Sequence, residues 1–271
     1  MPLFWLRIAT VFYGIGLLYA VLLLSKKGDW LSRIAVPAVG LGMVFHFVSL
    51  AETAILYGYQ DLLTIRHAES ALAWLIVVIF MVVYARFRTS SPGLFIFPLA
   101  FLLTFGSAFA QRPVEFSSPM LRSGWILAHV CMLLIGYASL FLSFVASLLY
   151  LLQAHSLKSK QPIGLLSRMP ALQVIDDLGY RALLLGFPFM TLGLVAGSVV
   201  AQSRFGVSYF SDPKVLLSLI MWGVYVVLLY TRWNSGWRGR KAAYLATFAF
   251  IAAVCAWAAN YLSSVHRFVA P

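Results

Sequence analysis

Charge is scarce in this sequence: charged residues make up 10% of its 271 residues, whereas hydrophobic residues make up 62%. An ordinary globular domain carries about 25% charged residues. With a mean hydropathy of +0.90, the chain has too few polar groups to cover a water-soluble fold. The composition therefore predicts an integral membrane protein.

Cysteine is almost absent too. The two cysteines, Cys131 and Cys255, both lie in long apolar runs, and neither belongs to a C-x-x-C or C-x-x-C-H sequence. The sequence therefore supports no disulfide framework, no dithiol redox motif and no covalent attachment of a c-type haem.

Long apolar runs are what the sequence does contain. A helix that crosses a bilayer needs about 20 mostly apolar residues. Eight such windows occur, at about 3–24, 34–57, 71–86, 93–110, 124–153, 180–202, 215–231 and 242–262. No A-x-A-like site follows the first window, so we expect it to be retained as a helix. The sequence thus predicts an all-α protein with eight transmembrane helices in a single membrane domain, residues 1–271.

Basic residues set the predicted topology. The formal net charge of +12 would also suit a nucleic-acid-binding protein, but the loops after the odd-numbered helices hold most of the basic residues. These are Lys26, Lys27, Arg33, Arg86, Arg88, Lys158, Lys160, Arg168, Arg232, Arg238, Arg240 and Lys241. The opposite side carries only Arg66, Arg112, Arg122, Arg204, Lys214 and Arg267. The positive-inside rule therefore places both termini on the outer side, and no nucleic-acid partner is predicted.

Two histidines fall at the predicted outer ends of helices. His129 lies in "GWILAHVCMLL", and His266 follows the eighth window in "YLSSVHRFVA". At about 100° per residue, His129 shares a helix face with Gly136, Ser143 and Ser147. Small residues mark close helix packing in membranes, and the residues on the His266 face are equally small. Both histidines are therefore expected to face inward.

This pair has two explanations. Facing imidazoles can ligate haem iron inside an apolar shell, whereas interfacial histidines can simply anchor helix ends. A site for a bare transition-metal ion is less favoured, because no third ligand with suitable spacing accompanies the pair.

A third histidine, His46, lies in the middle of the second window, on a face with Gly42, Ser49 and Thr53. An ionisable side chain at that depth indicates a functional site. A hydrogen bond between packed helices explains it equally well.

The connection "RFGVSYFSDPK", residues 204–214, joins the sixth and seventh windows on the predicted outer side. Asp212 precedes Pro213, which is typical of a helix start, where a carboxylate accepts hydrogen bonds from free backbone N–H groups. We expect Asp212 to cap the seventh helix.

Several stretches together resemble the CcsA/ResC/HemX group of membrane proteins, which are linked to cytochrome c assembly and haem handling. The stretches are "SPGLFIFPLA", "SGWILAHVCMLLIGYASLFLSFVASLLYLLQ", "DLGYRALLLGFPFMTLGLVAGSVVA", "FGVSYFSDPK" and "GWRGRKAAY". The resemblance runs from about residue 40 to residue 267. It implies non-covalent haem b near the outer face, with its iron held by His129 and His266. The implied pocket residues are Phe205, Tyr209, Asp212 and Trp125; the propionate candidates are Arg122, Arg204, Lys214 and Arg267; His46 would serve an inner haem site.

The chain departs from this family pattern at several positions. Phe205, Tyr209 and Ser211 replace the tryptophans of the family's outer loop, and Val215 stands where a glutamate would be. Tyr230 occupies the position of a histidine in the seventh helix of the cytochrome c synthases. These departures favour the shorter, HemX-like members.

The implied function is haem handling or cytochrome c assembly in a bacterial cytoplasmic membrane. The chain itself would have no independent catalysis, and a haem-lyase role would need a ResB-like subunit and apocytochrome c as partners. The alternative is a HemX-type regulator of a cytoplasmic haem-synthesis enzyme such as glutamyl-tRNA reductase, contacted through the basic loops 154–179 and 232–241. A small-solute transporter is less favoured, because the sequence shows no obvious inverted repeat.

Overall fold

The computed structural model describes residues 1–24, 31–109, 123–159 and 169–263. These residues form eight α-helices: α1 Pro2–Leu24, α2 Ser32–Tyr57, α3 Ile65–Phe87, α4 Gly93–Phe109, α5 Gly124–Ser159, α6 Leu172–Phe205, α7 Pro213–Trp233 and α8 Arg240–Ala258. Short 3-10 helices follow α2, α6 and α8, at Asp61–Leu63, Gly206–Ser211 and Ala259–Tyr261. No strand occurs in these ranges, so the predicted all-α class is confirmed.

Seven of the helices in the described ranges are long and apolar enough to cross a membrane. The exception is α4, whose 17 residues span about 25 Å at about 1.5 Å per residue. A typical hydrocarbon core is about 30 Å thick. The window at 93–110 therefore forms a helix that is shorter than the others.

Two helices extend beyond their apolar windows. Helix α5 continues to Ser159 and α6 already begins at Leu172, whereas the apolar windows covered only 124–153 and 180–202. Hydropathy marks the part of a helix that lipid can cover, but polar residues such as Gln and Lys also have good helix propensity. Most of the described part of the predicted loop 154–179 is consequently helical.

The chain divides into two compact units. Unit 1 comprises residues 1–112 and 152–172, and unit 2 comprises residues 113–151 and 173–271. In unit 1, α1 packs against α2 and α4, and α3 packs against α4. The rings of Phe80 and Phe97 meet edge to face in its core, with centroids 4.8 Å apart.

Unit 2 has a core of apolar side chains from α5, α6, α7 and α8. Leu140, Leu183, Met190, Met221 and Tyr225 are among its buried members. Glycines recur every seven residues on α6, at positions 179, 186 and 193, and lie against α5. A Cβ on Gly186 would lie 3.0 Å from the Cβ of Ser139, and one on Gly193 would lie 2.7 Å from Leu133. The two helices therefore pack closely because small residues separate their backbones.

Candidate functional site

His129 lies in the second turn of α5 and contacts α6 within unit 2. Its Nδ1 donates a hydrogen bond to the backbone carbonyl oxygen of Gly193, at 2.6 Å. A carbonyl oxygen can only accept, so Nδ1 carries the proton. Nε2 has no hydrogen-bond partner among the described residues. In the neutral ring, the Nε2 lone pair is therefore available to a ligand.

Gly197, one turn beyond Gly193 on α6, provides the surface against which the His129 ring rests. A Cβ at position 197 would lie 2.5 Å from both Nδ1 and Cε1 of His129. Real Cβ atoms essentially never approach other atoms so closely, so any side chain here would push the ring away. The prediction that His129 faces a neighbouring helix is confirmed by these contacts.

The connection between α6 and α7 includes the turn that ends α6 and the side chain that caps the start of α7. Gly206 has a φ of 58°, in the left-handed region, and it ends α6 as glycines commonly do. After the 3-10 helix, Oδ1 of Asp212 accepts a hydrogen bond from the backbone N–H of Lys214 at 3.0 Å. The predicted capping of α7 by Asp212 is confirmed. The other oxygen, Oδ2, accepts from the hydroxyl of Ser263 at 2.9 Å.

Lys214 brings a positive charge to the same end of unit 2. Its ammonium group donates to Oδ1 of Asn260 and interacts electrostatically with the imidazole of His129. An ammonium group has three N–H donors, so the contact with Asn260 leaves donors for an anionic group. Lys214 and His129 thus influence each other electrostatically within unit 2.

The predicted pocket aromatics differ in exposure. Phe205 is 41% exposed, and Trp125 in the first turn of α5 is 58% exposed. Tyr209 is only 4% exposed, and its ring stacks on Phe210 with centroids 4.2 Å apart. Phe205 and Trp125 are therefore open to a ligand at this end of unit 2, whereas Tyr209 packs inside the protein.

The remaining predicted residues divide into two groups. Arg204 lies in the last turn of α6 and is exposed. The second predicted ligand, His266, and the predicted cations Arg122 and Arg267 lie outside the described residues.

His46 is held in the core of unit 1. It is 0% exposed, and both ring nitrogens have partners: Nδ1 pairs with the Tyr13 hydroxyl at 3.3 Å and Nε2 with the Ser70 hydroxyl at 2.8 Å. These contacts join α2 to α1 and to α3. Of the two explanations for His46, the structure shows the hydrogen bond between packed helices, and in this conformation neither nitrogen is open to a metal.

A second polar cluster lies at the opposite end of unit 2, where α6 begins and α7 ends. Arg232 forms an ion pair with Asp176 at 2.8 Å, and its side chain is only 11% exposed. The guanidinium also lies over the ring of Tyr180, 4.7 Å from the centroid. The cavity beside this pair measures about 10 Å³, room for about one water molecule. Arg232 is thus neutralised, which removes it from the basic contact surface predicted at 232–241.

Sequence reasoning missed the partners of the site residues: Gly193 and Gly197 on α6, and Asn260 and Ser263 after α8. The glycines had a readable signal, because Gly193 continues the seven-residue series of Gly179 and Gly186, and Gly197 lies one helical turn further along the same small-residue face. Asn260 and Ser263 had a weaker one: they are polar and three residues apart, so they share one face of a helical turn.

These features define a polytopic helical membrane protein in which one helical unit holds a histidine, His129, that uses a single ring nitrogen for hydrogen bonding. The chain belongs to the cytochrome c assembly protein family: the family model described as "Cytochrome C assembly protein" matches residues 62–266. The match covers α3 to α8 and therefore includes all of the described site in unit 2.

Curated relatives agree with this assignment. The chain is 26% identical to the cytochrome c biogenesis protein CcsA of Guillardia theta, over 95% of this chain and 90% of the relative. It is 28% identical to CcsA of Trieres chinensis, over 86% and 85% of the two chains. It is 30% identical to CcsA of Heterosigma akashiwo, over 76% and 75%. The similarity thus extends over most of both proteins in each case.

Proposed function

We propose that this protein binds haem b non-covalently at the His129 end of unit 2 and carries it for cytochrome c assembly. The observation that supports this most is the Nδ1 hydrogen bond of His129 to Gly193, at 2.6 Å. Histidines that ligate metals almost always donate their other ring N–H to a carbonyl or carboxylate. The names of the relatives supply the connection to cytochrome c biogenesis.

The residues around His129 fit a flat, apolar cofactor that carries two carboxylates. The exposed rings of Phe205 and Trp125 offer apolar surface for a macrocycle. The Lys214 ammonium, which interacts electrostatically with His129, and the exposed guanidinium of Arg204 would offer charge-assisted hydrogen bonds to propionates. Asp212 would support the pocket through its cap and its bond to Ser263 rather than by touching haem.

Three residues outside the described ranges also belong to the proposed site. His266 is the proposed second iron ligand, and Arg122 and Arg267 are further propionate candidates. With two histidine ligands, bound haem would supply a low-spin iron. The contribution of this chain is to bind, orient and shield the haem, and we assign it no catalytic residue. Transfer to a c-type cytochrome would involve a ResB-like subunit and the apocytochrome.

We further propose that all eight helices cross the membrane and that both termini lie outside, in a bacterial cytoplasmic membrane. The distribution of basic residues supports this topology, and it places the His129 end of unit 2 on the outer face. Single cysteines introduced at Ser159 and Ser208 test it with a membrane-impermeant thiol reagent, in a chain whose native Cys131 and Cys255 are replaced by serine. We expect labelling from outside at position 208 only, and labelling at 159 would contradict the topology.

The HemX-type regulator remains the second candidate, and its support is Tyr230. This residue stands in place of a synthase histidine, its side chain is 59% exposed, and its hydroxyl oxygen accepts a hydrogen bond from Asn234 at 3.0 Å. The position thus offers no imidazole for an inner haem. Affinity purification from native membranes separates the two candidates. A ResB-like subunit supports assembly, whereas a cytoplasmic haem-synthesis enzyme supports regulation.

The principal test is the absorbance spectrum of the full-length protein, purified in detergent after expression with sufficient haem. We expect a Soret band from haem that acidified acetone extracts, since the attachment is non-covalent. A colourless protein that also fails to take up added hemin would contradict the proposal. His155→Ala provides a matched control for variants of His129, because His155 is an exposed histidine on the same helix.

A further inference from the structure

Two arginines contact the last turn of α4 in unit 1. Arg66, at the start of α3, donates a hydrogen bond from Nε to the backbone carbonyl oxygen of Ser107 at 2.5 Å. Arg7, in the second turn of α1, has its guanidinium over the ring of Phe109, 5.5 Å from the centroid. The two guanidiniums interact electrostatically, and they repel each other because both are positive. Three helices therefore bring two like charges to one end of unit 1.

The positive charge of this pair is only partly compensated. Nη2 of Arg66 is buried and has no hydrogen-bond partner among the described residues. Asp61 attracts Arg66 electrostatically, but its carboxylate also pairs with His67 at 3.3 Å. Arg7 has no ion-pair partner in the described part of the chain. Since an unpaired buried donor on a charged group costs free energy, an anionic group here would be stabilised by both guanidiniums.

A row of aromatic rings on α4 leads away from Arg7 along the contact between α1 and α4. The ring centroids of Phe109 and Phe105 are 4.7 Å apart, and those of Phe105 and Phe101 are 5.6 Å apart. Phe101 meets α1 at Gly14, where an added Cβ would lie 3.5 Å from its ring. Gly14 follows Arg7 by seven residues, which is about 10 Å along a helix. The rings therefore extend about two helical turns from the arginine.

Much of this apolar surface is exposed. Val11, between Arg7 and Gly14 on α1, is 68% exposed, and Phe105 and Phe109 are about half exposed. In a membrane, such a surface is covered by lipid acyl chains or by another helix. An exposed apolar surface that begins at two guanidiniums has the two features that an amphiphile with an anionic head group requires. Guanidiniums bind phosphate well, because their N–H groups can donate two parallel hydrogen bonds to its oxygens.

We propose that Arg7, Arg66 and the exposed surface of α1 and α4 bind one phospholipid of net negative charge. The phosphate accepts hydrogen bonds from the exposed guanidinium of Arg7, and Arg66 adds positive charge from inside unit 1. An acyl chain lies along Phe105 and Val11. A choline head group would bring a third cation to the two arginines, which disfavours a zwitterionic lipid. Free phosphate would leave the apolar surface unused.

The experiment places a photo-crosslinking amino acid, p-benzoylphenylalanine, at Val11 of the full-length protein in detergent. Irradiation with increasing amounts of alkyne-labelled phosphatidylglycerol gives the lipid concentration for half-maximal crosslinking. Arg7→Gln and Arg66→Gln each remove one of the two charges. Arg181→Gln is the matched control, since this arginine is 72% exposed and lies in unit 2. Unlabelled phosphatidylcholine and inorganic phosphate serve as competitors.

We expect saturable crosslinking at position 11. Arg7→Gln and Arg66→Gln should each raise the half-maximal concentration about tenfold, the effect of losing one interaction with a charged group. The double variant should lose less than the sum of the two, because both charges act on one phosphate. Arg181→Gln should match the unaltered protein, and an excess of either competitor should leave most of the labelled lipid bound.

Arg7 is exposed, so Arg7→Gln keeps the test valid even if Arg66→Gln fails to fold. An unaltered half-maximal concentration in Arg7→Gln would overturn the proposal. Displacement by an equal concentration of phosphatidylcholine would show that net negative charge is not required and would also overturn it. Displacement by inorganic phosphate would indicate a site for a small anion instead of a lipid. The measurement uses no haem, so its outcome is independent of the proposed function.

Discussion

Two histidines in membrane-spanning helices have opposite surroundings. His46 in unit 1 is fully buried, and both of its ring nitrogens pair with hydroxyl groups, of Tyr13 and Ser70. His129 in unit 2 is partly exposed, pairs only Nδ1, and does so with the carbonyl of Gly193. A hydroxyl can donate or accept, whereas a carbonyl only accepts. The tautomer is therefore fixed at His129 and left open at His46.

The surroundings of the two rings distinguish a structural histidine from a candidate ligand. Both lie in apolar helices beside small residues, so hydropathy and spacing give them the same description. What separates them is the number of ring nitrogens that have a hydrogen-bond partner, one at His129 and two at His46, and the exposure of the ring, which is partial at His129 and zero at His46. By this criterion His129 is the candidate ligand and His46 is part of a packed core.

The largest effect is expected from His129→Ala. Removing an iron ligand should lower hemin affinity by more than about 100-fold, because even the loss of a ligand's hydrogen-bond partner costs about 10–100-fold. Hemin titration followed at the Soret band measures this. The exposed His155→Ala variant should bind as the unaltered protein does; equal loss in both variants would point to unfolding instead.

A smaller effect is expected from Gly197→Ala, which leaves every polar group in place. The new Cβ would lie 2.5 Å from Nδ1 of His129, in the space that the ring now fills. The ring must therefore tilt away from the carbonyl of Gly193. We expect hemin affinity to fall about tenfold, as it does when a metal-ligating histidine loses the hydrogen bond that orients its ring. Gly223→Ala is the matched control, since a Cβ there meets no atom within 4 Å. Identical hemin affinities for the two variants would show that packing of the His129 ring against Gly197 does not affect haem binding.

A loss of a few-fold is expected from Phe205→Ala. The ring is 41% exposed, and contacts between aromatic systems contribute about 0.5–1.5 kcal/mol, which corresponds to a change of about threefold to tenfold in affinity. Val207→Ala, at a side chain that is 78% exposed, is the control. Titration under identical detergent conditions compares them, and unchanged affinity for Phe205→Ala would remove this ring from the pocket.

The smallest effect on hemin is expected from His46→Ala, although its effect on stability should be substantial. The change leaves a cavity and two hydroxyls without a partner, and large-to-small changes at buried sites cost about 2–5 kcal/mol. Thermal unfolding in detergent should show the lower stability, while the folded fraction keeps its Soret band and affinity. If His46→Ala removed the Soret band and His129→Ala retained it, the haem site would lie in unit 1.

Much of the fold could be predicted from the sequence, because apolar runs, proline and aspartate determine helices and their starts through effects on neighbouring residues. The windows identified the helices, and "SDPK" identified the cap at Asp212. The ends of α5 and α6 were misplaced, since hydropathy does not record where a polar helix stops. Asn260 and Ser263 escaped notice because their partners at the start of α7 are distant in sequence.

The candidate site was only partly predictable for a similar reason. The small-residue face of α5 correctly indicated that His129 faces another helix. Nothing local revealed that Tyr209 would be buried while Phe205 stayed exposed, because burial depends on which other parts of the chain pack around each ring. The state of His46 depended on hydroxyls from α1 and α3, which a single helix face cannot show.

Chemical rescue of His129→Gly shows whether His129 is an iron ligand. The variant removes the imidazole ring and leaves a space against Gly197, which free imidazole can occupy. We predict that the variant with added hemin gives a high-spin spectrum and that imidazole restores the low-spin spectrum, while His46→Gly with hemin is low-spin from the start. A His129→Gly variant that is already low-spin and unaffected by imidazole would contradict the assignment of His129 as an iron ligand.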